Sequence, residues 1–494
     1  MELPTITPET RRHVLNGLAR NPSAPDGVLR RLLQAPWAAT VMAGKRTDLT
    51  EQLALALLEL DYDEVAVALG GNRSLPASVR IRLAGHPAAR IRQAAARSCY
   101  PPPGPGCETP PALLASLATD PDPDVRALVA VHPSTPDSER TWLATDPDVK
   151  VRTALATRWH TPTPAVHRAL LTDSEPAVRA AACSEWAPAP PADLHLTLLA
   201  APETRAKAAR HVELTPALAA ELARDPDEDV RAAVAGRPEL PVTLREELAA
   251  EQNWAVRLEL LLSPHLPQET RARLYEEVCA ADDDHDEWFL VEAVLDAAWM
   301  GSHQLSWLHE APVTDQLDLL DSPFRYLRRA VARHAGELPE DVVTRLLRDP
   351  DPQVQKIAAH YAKNPPAGEL ERIVRDFGDH LKIRPGIAER PDFPVDALVR
   401  LATAKDSHPR LWRIIAGAAL PPATLEALAR DPLPTVRAAA AANPALPAHC
   451  LPALLADADP NVSEAAGSSA NLPVAWMEEL LTAEGMVPLR GSRR

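Results

Sequence analysis

The sequence predicts an all-α protein, a right-handed α-solenoid of about 16–17 short two-helix repeats. Two observations lead to this prediction. One residue pattern returns about every 26 positions along the 494-residue chain. Hydrophobic residues make up 46% of the sequence but aromatic residues only 4%, so the core must consist largely of Ala, Leu and Val. Small side chains of this kind favour closely spaced helices over a β-sandwich.

The repeat is clearest between Leu222 and Pro241, and Val230 marks its anchor, the apolar position from which each copy is counted. Between Val125 and Val256 the steps from anchor to anchor are 26 or 27 residues. A constant period indicates one supersecondary unit stacked many times. The predicted anchors are Val14, Thr40, Val65, Ile91, Val125, Val151, Val178, Thr204, Val230, Val256, Leu327, Val354, Leu381, Leu411, Val436 and Val462.

The first helix of each repeat is called helix A. In the clearest copy, Thr215 and Pro216 have the residue types of an N-cap and a first helical residue. Leu218, Leu222 and the alanines between them then form one apolar face at helical spacing.

The second helix, helix B, contains the anchor. Asp225-Pro226 predicts its beginning, and Pro238 predicts its end, because the residue before a proline avoids helical geometry. Two helices and two turns in about 26 residues leave each helix only two to three turns long. Such helices are marginal alone and depend on burial against neighbouring repeats.

Two charged columns accompany the anchors, and stacking is expected to turn each column into a ladder. An Arg fork between successive Asp carboxylates or helix carbonyls would satisfy donors and acceptors together. The alternative is that some rungs also hold an anionic ligand. The Asp column, five residues before the anchor, contains Asp120, Asp146, Asp173, Asp225, Asp349, Asp376, Asp406, Asp431 and Asp457. The Arg column, one residue after the anchor, contains Arg92, Arg126, Arg152, Arg179, Arg205, Arg231, Arg257, Arg328 and Arg437, with Lys382 in the same place.

An Asp followed by a Val-Arg pair and an alanine-rich helix resembles the HEAT family, including the HEAT-like repeats of phycobilisome lyases. The Asn-Pro-x-Leu-Pro ending at Asn443 to Pro447 is even more similar to the variant leucine-rich repeats of bacteria. In those repeats an α-helix alternates with a shorter, tighter helix and no sheet forms. The likeness covers roughly residues 10–278 and 327–475 and implies a scaffold fold without a particular activity.

The resemblance implies no cofactor for this chain. One variant-repeat protein carries an iron–sulfur cluster on N-terminal cysteines, but here no cysteine precedes Cys99. The five cysteines are scattered and contain no C-x-x-C pair, so neither a disulfide framework nor a zinc site is expected.

The regularity of the repeat divides the chain into five predicted segments. They are residues 1–98, degenerate N-terminal repeats and a cap; 99–111, a Pro-rich inserted loop; 112–278, regular central repeats; 279–326, an irregular acidic repeat with Trp residues and an insertion; and 327–494, C-terminal repeats with a capping helix and a tail.

Five tryptophans are candidate partner-binding residues. Trp159 and Trp186 each lie eight residues after an anchor and are expected to be neighbours along one edge. They either fill a gap between repeats or serve as exposed anchors for a partner, since Trp dominates interface hot spots. Trp288, Trp299 and Trp307 lie in the irregular segment, where they indicate either longer helices or a specific surface.

The acidic run at 281–287 is favoured as a solvated loop over a metal site. It has no Gly of the kind that an EF-hand loop requires, and the sequence has no H-E-x-x-H motif near it.

The leading functional hypothesis is a non-catalytic scaffold that binds a protein or peptide. No nucleophile with its base and orienting residue is recognisable in the sequence. The net charge of −16 argues against a non-specific nucleic-acid binder and favours a partner with basic patches. No apolar stretch approaches the ~20 residues that a membrane helix needs, so the protein is expected to be cytoplasmic.

The alternative hypothesis is a nucleic-acid-processing solenoid that resembles the HEAT-like DNA glycosylases. The Arg column and the Trp residues could supply part of a DNA track. The partner, the binding face and the oligomeric state stay open at this point.

Overall fold

A computed structural model describes residues 3–98, 111–184, 186–264, 266–281, 312, 316–378, 386–404 and 409–487. These residues form α-helices, short 3₁₀ helices and turns, with no β-strand among them. The all-α prediction is therefore confirmed. Residues 99–110 of the predicted Pro-rich loop at 99–111 lie outside the described residues. So does most of the irregular segment, including Trp288, Trp299 and Trp307.

The chain divides into two compact units. The first unit, residues 1–155 and 393–494, contains the helices Pro8–Leu18, Asp26–Leu32, Pro36–Lys45, Glu51–Leu58, Asp63–Gly70, Ala77–Ala84, Ala89–Ser98, Pro111–Ala118, Pro123–Ala130, Asp137–Leu143, Val395–Ala402, Pro409–Gly417, Pro422–Leu428, Pro434–Ala442, Leu451–Leu455, Pro460–Gly467 and Val474–Ala483. The second unit, residues 156–392, contains the helices Pro164–Leu171, Pro176–Ala182, His195–Ala200, Pro202–His211, Pro216–Leu222, Glu228–Ala235, Val242–Leu248, Trp254–Leu261, Gln268–Ala281, Arg325–Ala332, Glu340–Leu346, Pro352–Tyr361 and Ala367–Phe377. The helix Val149–Arg158 contains the boundary between the units.

The predicted helix A of the clearest repeat is present as Pro216–Leu222. The Thr215 hydroxyl caps it by accepting the N–H of Leu218 at 3.3 Å. Helix B is Glu228–Ala235 and ends before Pro238, as the proline rule predicts.

The predicted beginning of helix B is wrong by two residues. Asp227, not Asp225, is the N-cap, and its carboxylate accepts the N–H of Asp229 at 2.9 Å. The carboxylate of Asp225 accepts the N–H of Asp227 at 2.9 Å and closes the turn through Pro226. An Asp-Pro-Asp sequence thus contains two acids with different tasks, one that forms the turn and one that caps the helix.

The B helices of consecutive repeats pack directly on each other, as Pro202–His211, Glu228–Ala235 and Trp254–Leu261 do. Most anchors are buried in this stack, and Val230 and Val256 are fully inaccessible to solvent. Thr204 occupies an anchor position without leaving a buried hydroxyl unsatisfied, because its Oγ1 donates to the Leu198 carbonyl at 2.6 Å.

One predicted anchor is wrong. Thr40 is only half-buried, whereas Ala38, two residues after Pro36, is fully buried. The anchors in helices that begin with Pro, such as Val178 after Pro176, lie at the same distance from the helix start. The sequence did not identify Ala38 as the anchor, because alanine is no more hydrophobic than the residues beside it, such as Ala39.

The first and last repeats of the chain pack on each other within the first unit, a pairing that the sequence pattern does not indicate. Helix Pro8–Leu18 lies against helix Pro460–Gly467, and helix Val474–Ala483 contacts both Pro8–Leu18 and Asp26–Leu32. This contact is called the terminal joint. The helix Val474–Ala483, predicted from sequence as a capping helix, is part of it.

Two glycines allow the backbones to meet at the terminal joint. A Cβ at Gly17 would lie 1.9 Å from the Glu464 carbonyl oxygen, and a Cβ at Gly467 would lie 2.1 Å from the Val14 carbonyl oxygen. Neither distance is sterically possible, so both positions require glycine at this helix separation.

A buried asparagine side chain joins the first and last repeats, and equivalent asparagines join consecutive repeats in the same way. Asn21 donates to the carbonyls of Gly467 at 3.1 Å and Ser469 at 2.7 Å. The same bonds connect neighbouring repeats, from Asn72 to the carbonyls of Ala43 and Arg46 at 2.7 and 2.8 Å, and from Asn443 to those of Ile415 and Ala418 at 2.7 and 2.8 Å. The first repeat therefore follows the last one as if it were the next repeat in sequence.

Charged side chains complete the terminal joint. Arg20 pairs with Glu464 at 2.6 Å. Arg31, which is almost fully buried, donates from Nε to the Met486 carbonyl at 2.9 Å and pairs with Glu478. Since Arg31 would be unsatisfied without these acceptors, the joint is required for its burial.

We expect Gly467→Ala to destabilise the terminal joint by about 1–3 kcal/mol, because the added methyl group forces the two helices apart. Gly27→Ala is the matched control, since a Cβ there meets nothing within 4 Å. The control should leave stability unchanged or raise it by about 0.4–1 kcal/mol. Hydrogen exchange of the helix amides at 8–18 and 460–467 measures the effect. Equal protection of these amides in both variants would contradict the close contact.

His167 is expected to make the stability of the protein depend on pH. It is buried on helix Pro164–Leu171, and its Nε2 lies 3.1 Å from the Ala182 carbonyl. Burial lowers the pKa of His167 below its ordinary value of 6.5, although the backbone hydrogen bond opposes the shift. The folded state therefore favours neutral His167, and this stabilisation is present above about pH 6.5 and is lost as the pH falls through the lowered folded-state pKa.

We expect wild type to lose more stability than His167→Gln between pH 7.5 and pH 5.5, because glutamine keeps an amide donor but does not titrate. Denaturant unfolding of both proteins at the two pH values measures the difference. An equal loss in both would show that His167 does not contribute to the pH dependence.

Candidate functional site: the charged ladder and the inter-helix cleft

The rung at Arg126 shows how the two charged columns interact. Arg126 donates from Nε and Nη2 to the two carboxylate oxygens of Asp146 in the next repeat, at 2.7 and 2.9 Å. Its Nη1 donates to the backbone carbonyl of Asp120 in its own repeat at 2.7 Å. The Asp146 side chain has no solvent exposure. One guanidinium thus ties the turn of its own repeat to the turn of the next.

The same bidentate pairing recurs in other rungs of the ladder. The Nε-to-carboxylate distances are between 2.6 and 2.8 Å, in the pairs Arg92–Asp120, Arg328–Asp349 and Arg437–Asp457. Arg205 and Asp225 form a looser pair at 3.6 Å.

In other repeats the Arg column persists but its carboxylate partner is a glutamate. Arg179 pairs with Glu203, Arg231 with Glu251 at 2.8 Å and Arg257 with Glu277 at 2.9 Å. The longer Glu side chain reaches the guanidinium where no Asp is available at the expected place. The predicted Asp-to-Arg ladder is therefore mixed, with Asp and Glu both serving as acceptors.

Ladder arginines also donate to backbone carbonyls of their own repeat. The Nη1 of Arg152 donates to the Asp146 carbonyl at 2.7 Å, that of Arg179 to the Asp173 carbonyl at 2.7 Å, and that of Arg437 to the Asp431 carbonyl at 2.9 Å. Asp406, Leu381 and Lys382 lie outside the described residues.

Hydrogen bonding to the carboxylates shifts the pKa of several ladder groups. The bond to Asp146 raises the pKa of Arg126, and the bond to Asp457 raises that of Arg437, in both cases more than burial lowers it. Burial raises the pKa of Asp457, but the hydrogen bonds from Arg437 and from the Asp459 N–H outweigh it, so the net pKa is lowered. Both partners are therefore charged at neutral pH, and the guanidinium donors are engaged within the protein.

A second ladder was missed by sequence reasoning. It consists of Asn21, Asn72 and Asn443, which donate to carbonyls of an adjoining repeat, and of Arg237. Arg237 donates to the carbonyls of Ala209 and Val212 in the preceding repeat, both at 2.9 Å. Its signal is a polar residue seven positions after the anchor, at Asn21, Asn72, Arg237 and Asn443.

The two described candidate tryptophans have opposite environments. Trp159 is only 3% exposed, which corresponds to a residue that fills a gap between repeats. Trp186 is 55% exposed, and its ring meets His160 edge to face at a centroid distance of 6.5 Å. Of this pair, only Trp186 presents a surface that a partner could contact.

A cleft of approximately 370 Å³ lies on the B helices of three consecutive repeats. Alanines form much of its lining, and Trp254, Lys207 and Asp229 also line it. At one side Arg210 and Glu259 form a two-point ion pair, with N–O distances of 2.9 and 3.1 Å. This pair spans the intervening repeat because Gly236 has no side chain, and a Cβ there would lie 2.8 Å from Glu259 Oε2.

Sequence reasoning did not find this cleft. Its signal was Trp254, which stands two residues before its anchor where several other repeats have proline.

Two further findings apply to the described part of the chain. Its His, Cys, Asp and Glu side chains include no group of three that could hold a metal ion. None of its helices combines the length and the apolar character needed to span a bilayer. The acidic run from residue 282 onward lies outside the described residues.

We expect Asp146→Ala to cost about 3–5 kcal/mol, because it leaves the buried Arg126 guanidinium without its counterion. Asp193→Ala is the control, since Asp193 pairs with Arg168 at 2.7 Å but both side chains are well exposed. Its effect should be much smaller. Thermal and denaturant unfolding measure both variants, and similar losses would show that burial does not determine the strength of a rung.

The comparisons with known proteins agree with this repeat structure. Residues 107–159 match the family model described as "Leucine Rich Repeat Variant domain", and residues 434–459 match the model "Leucine rich repeat variant". No curated protein sequence matches the chain.

Three solved structures are similar to this chain. The structure "A leucine-rich repeat variant with a novel repetitive protein structural motif" is 22% identical, covers 46% of this chain and 85% of its own, and has a TM-score of 0.34. An engineered protein is 15% identical and covers 95% of this chain and 99% of its own, with a TM-score of 0.14. Kap121p bound to RanGTP is 15% identical and covers 97% of this chain and 54% of its own, with a TM-score of 0.22.

At these identities and TM-scores the structural likenesses carry no argument about function. The two family-model matches and the stacked helix pairs of the structure both indicate a helical repeat protein, independently of those solved structures. The chain is a helical repeat protein, and its residues 107–159 and 434–459 are similar to repeats of the leucine-rich repeat variant family.

Proposed function

We propose that this protein is a non-catalytic interaction scaffold that binds a protein or peptide with basic groups. Stacked repeats present one position from every repeat along a common surface, which suits an extended partner. The ladder and anchor residues hold the repeats together, so the remaining exposed positions are available for binding.

The observation that carries the proposal is the distribution of charge between the inside of the stack and its surface. The ladder guanidinium groups bind carbonyls and carboxylates of the protein itself, as Arg126 does. The acids in the first turn of helix B are exposed in the clearest repeat, at Asp227, Glu228 and Asp229. With a net charge of −16, the accessible surface therefore favours a cationic partner.

Trp186 supports the same proposal. A large aromatic side chain that is 55% exposed contributes apolar contact area at low entropic cost when it is covered. Its ring also meets His160 edge to face. An exposed indole of this kind is typical of the anchor residues of protein interfaces.

The nucleic-acid alternative is weaker for the same electrostatic reason. Binding to a phosphate backbone requires Arg and Lys side chains that are free to replace counterions. In the described residues the Arg column is engaged in the ladder, and acids lie beside it.

We expect Trp186→Ala to lose protein partners in a nuclease-treated affinity purification from source-cell lysate, read by quantitative mass spectrometry. Trp142→Ala is the matched control, because Trp142 is 47% exposed but on a helix A. A partner that is lost only with Trp186→Ala would then be purified, and its dissociation constant measured at low and high salt. The affinity should fall as salt rises, because exposed charges are screened.

Two results would count against the scaffold proposal. One is recovery of nucleic acid alone when nuclease is omitted, which would support the DNA-directed alternative. The other is a purified partner whose affinity does not depend on salt, which would remove the electrostatic part.

A further inference from the structure

The cleft on the B helices Pro202–His211, Glu228–Ala235 and Trp254–Leu261 has a small-residue floor and one aromatic side. Ala206, Ala232, Ala233 and Ala255 line it. Trp254 lines it as well and is partly exposed. The cleft is therefore wide enough and apolar enough to accept a side chain from outside the protein.

Three positions in and beside the cleft differ from the equivalent positions of an earlier repeat. The position three residues after the anchor is Ala233 here but Leu128 in an earlier repeat, and the position six residues after it is Gly236 here but Val131 there. The position two residues before the anchor is Trp254, where Pro123 stands in the earlier repeat. The small residues Ala233 and Gly236 and the aromatic residue Trp254 thus occur in the same group of repeats.

The cations that line the cleft already have acceptors within the protein. Lys207 donates from Nζ to the Ala180 carbonyl of the preceding repeat at 2.6 Å. Arg210 is paired with Glu259, so these two charges compensate each other.

The carboxylate of Asp229 is different. It is exposed and lines the cleft, and among the described residues it has no cationic partner. The exposed acids Asp227 and Glu228 directly precede it. Lys207 keeps its positive charge, because its acceptor is a neutral carbonyl, but these three exposed acids outnumber it. Charge complementarity therefore favours a cation over an anion.

We propose that this cleft binds an arginine or lysine side chain of a protein partner. The aliphatic stem of that side chain packs over the alanine floor, and its charged head lies between the Asp229 carboxylate and the Trp254 indole. A cation gains from the face of an indole and from a carboxylate at the same time, while its methylene groups cover apolar surface. This inference rests on the proposed function and assigns a site to it.

The test uses the full chain labelled with 5-fluorotryptophan and observed by ¹⁹F NMR. The signal of Trp254, one of ten tryptophans, is assigned by its loss in Trp254→Phe. The probe is an acetylated and amidated Gly-Arg-Gly tripeptide. A tripeptide with norleucine in place of arginine is the uncharged control. We expect the Trp254 signal to shift saturably with the arginine peptide and not with the norleucine peptide.

Two variants with the same change of charge separate a local effect from a general one. Asp229→Asn should weaken arginine-peptide binding by about two- to fivefold, the range for an exposed charge pair. Glu221→Gln removes one exposed negative charge from helix A Pro216–Leu222 and should leave the affinity unchanged. The inference would be overturned if the Trp254 signal did not respond to the arginine peptide, or responded equally to the norleucine peptide. It would also be overturned if both variants weakened binding of the arginine peptide equally.

Failure of the proposed cleft site and failure of the scaffold proposal give different experimental results. A protein partner captured through Trp186, together with an unresponsive Trp254, would leave the scaffold and remove this site. A Trp254 signal that responds specifically to arginine supports the site whether or not a partner has been captured.

Discussion

Every other feature of this protein depends on the stacking of helices that are too short to be stable alone. The helices of the clearest repeat, Pro216–Leu222 and Glu228–Ala235, have seven and eight residues. Isolated helices of this length are not stable in water. Burial of anchors such as Val230 against the next B helix supplies the missing stability. The Arg-to-carboxylate rungs fix the rotation and spacing of that packing, because a bidentate pair tolerates little displacement.

The terminal joint follows from the same constraint. A terminal repeat of a stacked array lacks a neighbour on one side and needs a special cap. Here the first and last repeats are neighbours of each other within the first unit. Asn21 makes the bonds that Asn72 and Asn443 make between consecutive repeats. Gly17 and Gly467 replace larger residues where the two backbones approach most closely. The ends of the chain are thus stabilised by ordinary repeat contacts.

The ladder also determines what the surface can bind. Because the guanidinium groups are bound within the protein, the acids of the helix B first turns dominate the accessible charge near Asp229. The ion pair between Arg210 and Glu259 bridges over Gly236 and removes two more charges from the cleft. The acids near Asp229 and the partly exposed Trp254 stay accessible, and this is the physical basis of the proposal that a cationic protein partner binds.

The sequence by itself determined the repeat and its local chemistry. Period, proline positions and apolar spacing predicted the helix pairs, most anchors and the two charged columns, since these signals act within one repeat. It misplaced the anchor at Ala38 and the cap at Asp227, because alanine carries little hydrophobic signal and both acids of Asp-Pro-Asp are plausible caps. Only the tertiary structure decided the pairing of Asn21 with Gly467, the burial of Trp159 beside the exposure of Trp186, and the cleft at Trp254. These features depend on contacts between repeats, and a periodic sequence describes each repeat without fixing which surfaces of different repeats meet.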